Sequence, residues 1–426
     1  MPLLVIFSSK VLVPKTFNKT VKSWISYDVG NSAFATTVVA GFFPVFYLQY
    51  WAADLDMAEA TVYKTWALAI CNALVLFTAP LIGAITDINN STKNSLVLFT
   101  IVGAFFVSLL SILDYGSWLY ALVFFAIANY CFSVSQIPYD KILTKITTHD
   151  KLSIISNQGY AWGYLGGGFL FLINALMFLF WEKIGLRSSE DAIKISFLMV
   201  SVWWFAFMLP IRRNFVEKIK PYGKTSLLKD ALKNVFSTIK SISKYKNASM
   251  FLLAFFLFID GAHTVIYLAA DFALNVGLKA TDVIPALILV QFVAFPATLL
   301  WGMVADRYGD KPVLYITITS YIFIIIFSTT LSSAFEFYIL AVWVGSVQGG
   351  IQGSSRGLFG KLIPSDKAGE FFGLYNVLGR AGAIIGPVMV GTMLAIYGDV
   401  KIALVPIAVL FILGGLVLTR VNNETS

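Results

Sequence analysis

The feature that most constrains this chain is a series of twelve apolar runs, each of a length that crosses a lipid bilayer as a helix. A bilayer core needs about 20 apolar residues per helix, and inside it only helices or closed barrels satisfy their backbone groups. Because these runs are long and continuous, we predict an all-α integral membrane protein. The runs cover roughly 24–50, 63–85, 95–114, 117–140, 153–181, 192–210, 249–274, 283–304, 312–331, 335–362, 369–396 and 401–420.

Composition agrees with this class and excludes a soluble domain. Only 13% of the residues are charged and 58% are hydrophobic, whereas soluble domains carry about 25% charged residues. The two cysteines, Cys71 and Cys131, lie in apolar runs without the neighbours of a metal site or a disulfide framework. We therefore expect neither a metal nor a cofactor.

Lysine and arginine are distributed unevenly between the two sides of this plan. With the N-terminus inside, 23 basic residues fall on one side and 6 on the other. Cytoplasmic loops are the basic ones, so both termini are predicted to be cytoplasmic. The net charge of +8 follows from this topology, and no nucleic-acid partner is expected.

One long polar connection, residues 211–248, divides the twelve runs six and six. We predict two six-helix bundles, 1–210 and 249–426, with this segment as a cytoplasmic linker. Within it Leu228, Leu232, Phe236 and Ile239 recur at helical spacing, with lysines off that face, which indicates an amphipathic helix on the inner leaflet. A plain flexible linker is the alternative.

An internal repeat supports two pseudo-symmetric halves. G-A-I-T-D at 83–87 follows the second run, and G-M-V-A-D-R-Y-G-D-K at 302–311 follows the eighth. Glycine permits close helix approach, and the aspartate at the membrane edge can cap a neighbouring helix or pair with a basic group. The candidate gating residues are Gly83, Asp87, Gly302, Asp306 and Arg307.

This repeat resembles the signature loop of the major facilitator superfamily, whose plan of twelve helices in two bundles fits the whole chain. The first copy departs from the family pattern at Ile88 and Asn89. We therefore expect the first copy to latch the two halves less firmly than the second. The resemblance implies that the first, fourth, seventh and tenth spans line a central cavity.

Polar and ionisable residues are concentrated in those predicted lining spans and their neighbours. Charged groups at such depths usually face a bundle interior and mark a substrate or ion path. Asp260 and His263 are candidates for proton coupling because histidine titrates near neutrality. The alternative is a structural ion pair within the second bundle. The candidate substrate-binding residues are Asp28, Asn31, Gln136, Tyr160, Asp260, His263, Tyr267, Gln352, Arg356 and Arg380.

Two of these residues predict a contact between the halves. Asp28 lies near the start of the first span and Arg356 near the end of the tenth, so both should lie at a similar depth. An Asp28–Arg356 pair would act as an inner gate; local pairing of Asp28 near Lys22 or Lys141 is the alternative. The glycine-rich run 159–168 predicts close packing in the fifth span, at the interface between the halves.

A closer resemblance rests on W-I-S-Y-D-V-G-N-S-A-F-A-T-T at 24–37, followed by F-F-P at 42–44 and Y-W at 50–51. This stretch is similar to the first helix of the vacuole-effluxer family. Q-I-P-Y-D at 136–140, N-Q-G-Y-A-W-G-Y-L-G-G-G at 157–168 and Q-G-G-I-Q-G-S-S-R at 348–356 support it. The resemblance implies amino-acid transport, which in fungal members is efflux of apolar and aromatic amino acids toward the cytosol. The absence of large insertions favours a bacterial inner membrane.

The expected function is secondary active transport of a small polar or zwitterionic solute by alternating access, with an amino acid as first candidate. Organic acids, sugars, lipids, drugs and uncoupled facilitation stay open. The expected partners are the solute, the lipid bilayer and protons, and we expect a monomer. An enzyme would need a nucleophile–base pair or a metal cluster, yet the histidines are only His149 and His263. A receptor would need a soluble effector surface, and the loops are short.

Overall fold

The computed structural model describes residues 17–219, 224–241, 244–278 and 280–422. Over these ranges the chain is built of helices joined by short connections. The principal helices are α1 (Lys19–Trp51), α2 (Met57–Asn89), α3 (Thr92–Leu110), α4 (Trp118–Ile146), α5 (Leu152–Leu179), α6 (Ser189–Asn214), α7 (Lys224–Ser241), α8 (Lys246–Asn275), α9 (Ala280–Tyr308), α10 (Asp310–Ser328), α11 (Ala334–Leu362), α12 (Ala368–Tyr397) and α13 (Val400–Leu418).

Each of the twelve predicted runs falls on one of these helices. Eleven helices of the described ranges are long and apolar enough to cross a membrane. The predicted run at 369–396 corresponds to α12, a helix of 30 residues whose side chains are described in part. Helix α7 is the amphipathic segment of the predicted linker.

Helix α1 changes its hydrogen-bond pattern part-way along. Lys19–Ala33 is α-helical, whereas Phe34–Phe42 and Tyr47–Trp51 are π-helical. In the second wide turn, the Ala52 N–H donates to the Tyr47 carbonyl at 2.8 Å. A π-helical turn rotates later positions relative to a regular helix, so regular helical spacing describes this span only as far as Ala33.

Buried apolar side chains form one large cluster in each half of the chain. The first lies between Val21 and Phe215, and the second between Ala248 and Val421. A smaller cluster joins α2 and α4 to α12 through Val377. Across the halves, α5 packs on α9 and α11, while α12 packs on α2 and α4. Each half therefore has its own core, and six helices carry most of the interface.

The glycine run of α5 serves mainly the contact with α1 in its own half. A Cβ atom at Gly159, Gly163 or Gly166 would meet Asp28, Ser32 or Val29 of α1, and Gly168 instead faces Gln291 of α9. The fifth span thus lies between the halves as predicted, but most glycines of the run face α1 of their own half and not the other half. The sequence shows where two helices can approach closely, but not which neighbour fills the space.

Candidate functional site

Arg356 of α11 extends into the first half of the chain and is buried there. Its Nε donates to Ser156 Oγ at 2.9 Å, and its Nη2 donates to the Ser156 carbonyl at 2.9 Å. The guanidinium carbon lies 4.2 Å from the ring centroid of Tyr160 and 4.9 Å from that of Trp24. Aromatic faces attract cations. The guanidinium of Arg356, a residue of the second half, is therefore bound by side chains of the first half.

Two carboxylates of the first half face this guanidinium. Asp28 Oδ2 of α1 lies 3.6 Å from Arg356 Nη2, and Asp140 Oδ1 of α4 lies 3.4 Å from Arg356 Nη1. Asp28 is 5% exposed and Asp140 is 3% exposed, so water screens neither ion pair. The predicted Asp28–Arg356 pair is present. Asp140 is the member that the sequence analysis did not single out.

Neighbouring side chains hold both carboxylates in place. The Tyr139 hydroxyl donates to Asp28 Oδ2 at 2.8 Å, and Asn376 Nδ2 of α12 donates to Asp140 Oδ2 at 3.0 Å. Trp24 stacks on Tyr139 with 4.4 Å between the ring centroids. The Q-I-P-Y-D motif contains Tyr139 and Asp140 as neighbours, and this adjacency is the signal that could have identified them. We call Asp28, Asp140 and Arg356 the gate cluster.

Hydrogen bonds between the halves gather around the gate cluster. Ser156 Oγ donates to the Gly353 carbonyl at 2.7 Å, and Ser153 Oγ donates to Asp310 Oδ2 at 2.7 Å. His149 Nε2 lies 2.7 Å from the Lys361 carbonyl. All these residues lie at the end of the bundle where α1 begins and α11 ends, which we call the basic end. The halves are thus joined here by polar contacts, of which those of Ser153 and Ser156 are buried and that of His149 is exposed.

Buried polar atoms without a hydrogen-bond partner occur on several helices of the described ranges, and four of these atoms lie further into the bundle, on α1, α5, α9 and α11. Close contacts of Gly168 with Gln291 and of Gly349 with Thr298 show that α5 approaches α9, and α9 approaches α11, near these residues. Buried polar groups are normally paired, so unpaired ones are candidates for solute contact. The four atoms on α1, α5, α9 and α11 are Asn31 Nδ2, Tyr164 Oη, Gln291 Oε1 and Gln348 Nε2, and we call them the polar layer.

The remaining predicted site residues are dispersed. Asp260 is buried in α8, where its Oδ2 accepts the Gly386 N–H of α12 at 2.8 Å and its Oδ1 has no described partner. His263 is half-buried one turn further along α8. Gln136 donates to the Phe132 carbonyl of its own helix at 3.4 Å, and Gln352 is half-buried. Tyr267 and Arg380 lie outside the residues whose side chains the structure describes.

Asp87 of the first signature loop performs both of the roles predicted for it. Its carboxylate accepts the N–H groups of Gly369 at 3.1 Å and Glu370 at 2.9 Å, in the first turn of α12. It also pairs with Lys141 Nζ at 2.7 Å. Gly83 of the same loop packs directly against the Gly369 backbone. The first loop therefore ties α2 and α4 to α12 of the other half.

The second loop uses a different carboxylate from the one the sequence indicates. Asp306 and Arg307 are exposed, and the Arg307 guanidinium lies over its neighbour Tyr308. Asp310, four residues on, is buried and pairs with Lys361 Nζ at 2.8 Å. Gly302 contacts Asn157 of α5. The departures at Ile88 and Asn89 thus leave Asp87 in place, whereas Asp306 of the second copy is exposed and Asp310 contacts Ser153 of the first half instead. Which of the two latches is the firmer stays a prediction.

Solved structures of other proteins share this fold. The proton:xylose symporter XylE aligns over 96% of each chain with a TM-score of 0.68 at 13% identity. The human organic anion transporter MFSD10 aligns over 94% of this chain and 99% of its own, with a TM-score of 0.70 at 12% identity. At such low identity the likeness shows the fold alone, which is the twelve-helix major facilitator fold.

Sequence relatives narrow this to a family. The MFS-type transporter YxiO of Bacillus subtilis is 29% identical over 414 residues, which cover 97% of each protein. Autophagy-related protein 22 of Saccharomyces cerevisiae is 22% identical over 468 residues, covering 89% of this chain and 87% of its own. The family model described as vacuole effluxer Atg22-like matches residues 144–426. The chain therefore belongs to the vacuole effluxer Atg22-like family, a multi-pass membrane family within the major facilitator superfamily.

Proposed function

We propose that this protein is a secondary active transporter that moves a small polar or zwitterionic solute by alternating access. The observation that carries the proposal is the gate cluster. Opposite charges from the two halves meet in a buried site at one end of the bundle, and rocking of the halves would separate them. In alternating access the solute site lies near the midplane and its two ends open in turn.

An amino acid is the first candidate for the solute. The family's vacuole effluxers suggest it, and the polar layer offers both donors and acceptors to an ammonium and a carboxylate. Asp28, Asn31, Gln136, Tyr160, Asp260, His263, Gln352 and Arg356, together with Tyr267 and Arg380, are the residues we propose along its path. A sugar is the second candidate, because the four side chains of the polar layer are all uncharged and suit hydroxyl groups.

The charge balance of the gate cluster supports the proposal that transport is coupled to protons. With all three side chains ionised, two carboxylates face one guanidinium, and the buried cluster carries an uncompensated negative charge. A charge of this kind costs several kcal/mol. A proton on Asp28 or Asp140 would remove it when the basic end closes. Asp260 and His263 form a second proposed proton site within the second half.

Counterflow into proteoliposomes tests the transport proposal. Vesicles preloaded with leucine, tyrosine, arginine or a pentose would receive the same solute in labelled form. We expect uptake of a neutral amino acid that falls at least about tenfold in Gln348→Ala, because one lost hydrogen bond to a buried solute is worth about 1.4 kcal/mol or more. Leu98→Ala, on the lipid-facing side of α3, is the matched control and should transport normally.

The proposal of proton coupling is tested by measuring uptake under a pH gradient. With a pH gradient imposed, uptake by the unchanged protein should accelerate, whereas Asp140→Asn should carry out counterflow without responding to the gradient. Flat traces for every solute with folded protein would overturn the transport proposal. If the pH gradient has no effect on the rate of uptake, the protein is an uncoupled facilitator. We further propose a bacterial inner membrane, a monomer and cytoplasmic termini, so that the basic end faces the cytosol.

A further inference from the structure

The linker helix α7 has three sectors around its axis. At 100° per residue, Leu227, Ala231 and Asn234 form the side that packs toward the protein, and Ala231 is fully buried. Next to it lies an apolar sector of three large side chains. Leu228 is 50% exposed, Leu232 is 44% exposed and Phe236 is 70% exposed.

The third sector is basic. Lys229 and Lys233 are exposed and lie on the far side of the apolar sector from the protein contact. Apolar side chains scattered singly on a surface are ordinary, but a contiguous stripe indicates a surface that another phase or partner covers. A stripe flanked by lysines is the arrangement of helices that lie in a membrane interface.

The position of α7 places this stripe next to the bilayer. The helix packs against α2, and Asn234 and Ser237 share a cleft of about 220 Å³ with Asp87 at the end of α2 and with Glu370 at the start of α12. Earlier in α2, Leu74 and Phe77 are exposed within the candidate membrane span Trp66–Asn89. Helix α7 therefore lies beside the bundle at the level where the membrane-spanning part of α2 ends.

The net positive charge of the linker indicates which kind of lipid α7 would contact. Residues 211–248 contain ten basic residues but only two acidic ones, Glu217 and Asp230. Glu217 is already paired with Lys145 at 2.6 Å. Juxtamembrane basic segments are attracted to anionic lipid headgroups, and such a surface complements the lysine sector.

We propose that α7 docks on the anionic surface of the bilayer. Leu228, Leu232 and Phe236 enter the boundary of the acyl chains, and Lys229 and Lys233 contact lipid phosphates. Because α7 also adjoins Asp87 and the first turn of α12, docking braces the first latch between the halves. The proposal stands on the helix and its surroundings, and does not depend on which solute is transported.

An environment-sensitive fluorophore on single cysteines tests this docking. In a chain with Cys71→Ala and Cys131→Ala, the label is placed at Leu232→Cys or at Ser237→Cys, which is five residues on and about 140° around the helix. The protein is reconstituted into vesicles of phosphatidylcholine with or without phosphatidylglycerol. We expect the Leu232 label to emit at shorter wavelength and to resist iodide quenching when the anionic lipid is present, while the Ser237 label, which faces the cleft, does not respond to the lipid composition.

Substitution of Lys229 and Lys233 is the second part of the experiment. Each Lys→Glu change at positions 229 and 233 should lower the docked-to-undocked ratio by about fivefold or more, and phosphatidylglycerol should lose its effect in the double variant. Equal quenching of both labels in both kinds of vesicle would overturn the proposal. So would protection of the Leu232 label that rises with protein density at constant lipid composition, because a second copy would then be the partner.

Discussion

Arg356 and Asp28 meet at 3.6 Å in the interior of the protein, although one lies near the end of α11 and the other in the first turns of α1. Asp140 lies on the other side of the same guanidinium at 3.4 Å. Ser156 and Tyr160 of the first half also contact the Arg356 guanidinium. The basic end of the bundle is therefore closed by a buried ion cluster, whose charges would separate if the two halves moved apart.

Removing Arg356 should open the basic end. Arg356→Ala leaves Asp28 and Asp140 buried without their cation, and loss of one partner of a buried pair costs about 3–5 kcal/mol. Arg356→Lys should open it partly, since an ammonium cannot contact both carboxylates through a planar fork. Maleimide labelling of Gln136→Cys in the chain without native cysteines measures the opening, and we expect it to accelerate at least about tenfold in the alanine variant.

Arg307→Ala is the matched control for that experiment, because Arg307 is an exposed arginine at the same end. It should leave the labelling rate unchanged. Equal rates for Arg356→Ala and the unchanged protein would show that the gate cluster does not hold this end closed.

The two signature loops should respond differently to loss of their aspartates. Asp87→Ala removes the cap of α12, worth about 1 kcal/mol, and leaves Lys141 buried without its partner. Asp87→Asn keeps an oxygen for one N–H of α12, so its loss should be smaller. Asp306→Ala should change stability by less than about 0.5 kcal/mol, because Asp306 is exposed.

Thermal unfolding of the three purified variants in one detergent ranks them. The unfolding midpoint should be highest for Asp306→Ala, lower for Asp87→Asn and lowest for Asp87→Ala. A loss in Asp306→Ala as large as that in Asp87→Ala would mean that the second loop also latches through its first aspartate.

Gly83→Ala should disturb the crossing of α2 and α12. A Cβ atom at Gly83 would overlap the backbone carbonyl of Gly369, and backbone cannot move aside as a side-chain tip can. We expect a lower unfolding midpoint and faster maleimide labelling from the basic end. Overpacking of a tight contact typically costs about 1–3 kcal/mol.

Gly391→Ala provides the comparison within α12, because a Cβ atom at Gly391 meets nothing within 4 Å. Replacement of an unconstrained helical glycine by alanine typically stabilises a helix by about 0.5–1 kcal/mol. If both alanine variants behaved alike, close approach at Gly83 would not be what holds α2 and α12 together.

A double-mutant cycle should separate the buried pair Asp310–Lys361 from an exposed pair. The distance is 2.8 Å in the first, whose aspartate side chain is 1% exposed, and 4.0 Å between Lys194 and Asp114, whose aspartate side chain is 94% exposed. Alanine cycles in chemical denaturation should give a coupling of about 1–3 kcal/mol for the buried pair. The exposed pair should give less than about 0.5 kcal/mol. Similar couplings would contradict the idea that Asp310 took over the role of Asp306.

The membrane architecture could be predicted because it depends on local properties. A run of about 20 apolar residues is costly anywhere but in lipid, so the twelve spans followed from the residues alone. The Asp28–Arg356 pair could also be predicted, since their positions in oppositely directed spans set their depths. Asp87 was identifiable from its place in a repeated motif.

Other features depended on which surfaces face each other. In the sequence Asp140 is the last residue of the Q-I-P-Y-D motif, and only packing puts it against Arg356 and Asn376. The glycines of α5 could have faced several neighbours, and the structure turns most of them toward α1. Asp306 and Asp310 are four residues apart, and a glycine turn at Gly309 between α9 and α10 decides which is buried.

The sequence by itself therefore determined how many helices cross the membrane, where the polar residues lie along each one, and that the chain has two related halves. Hydrophobic burial depends on composition over a window, which a sequence records. Only the tertiary structure decided which charges touch, which aspartate of the second loop is buried, and that the halves meet at the basic end. Ion pairs and helix caps depend on a few ångströms of separation and on the rotation of each helix, and these are set by packing of residues far apart in the chain.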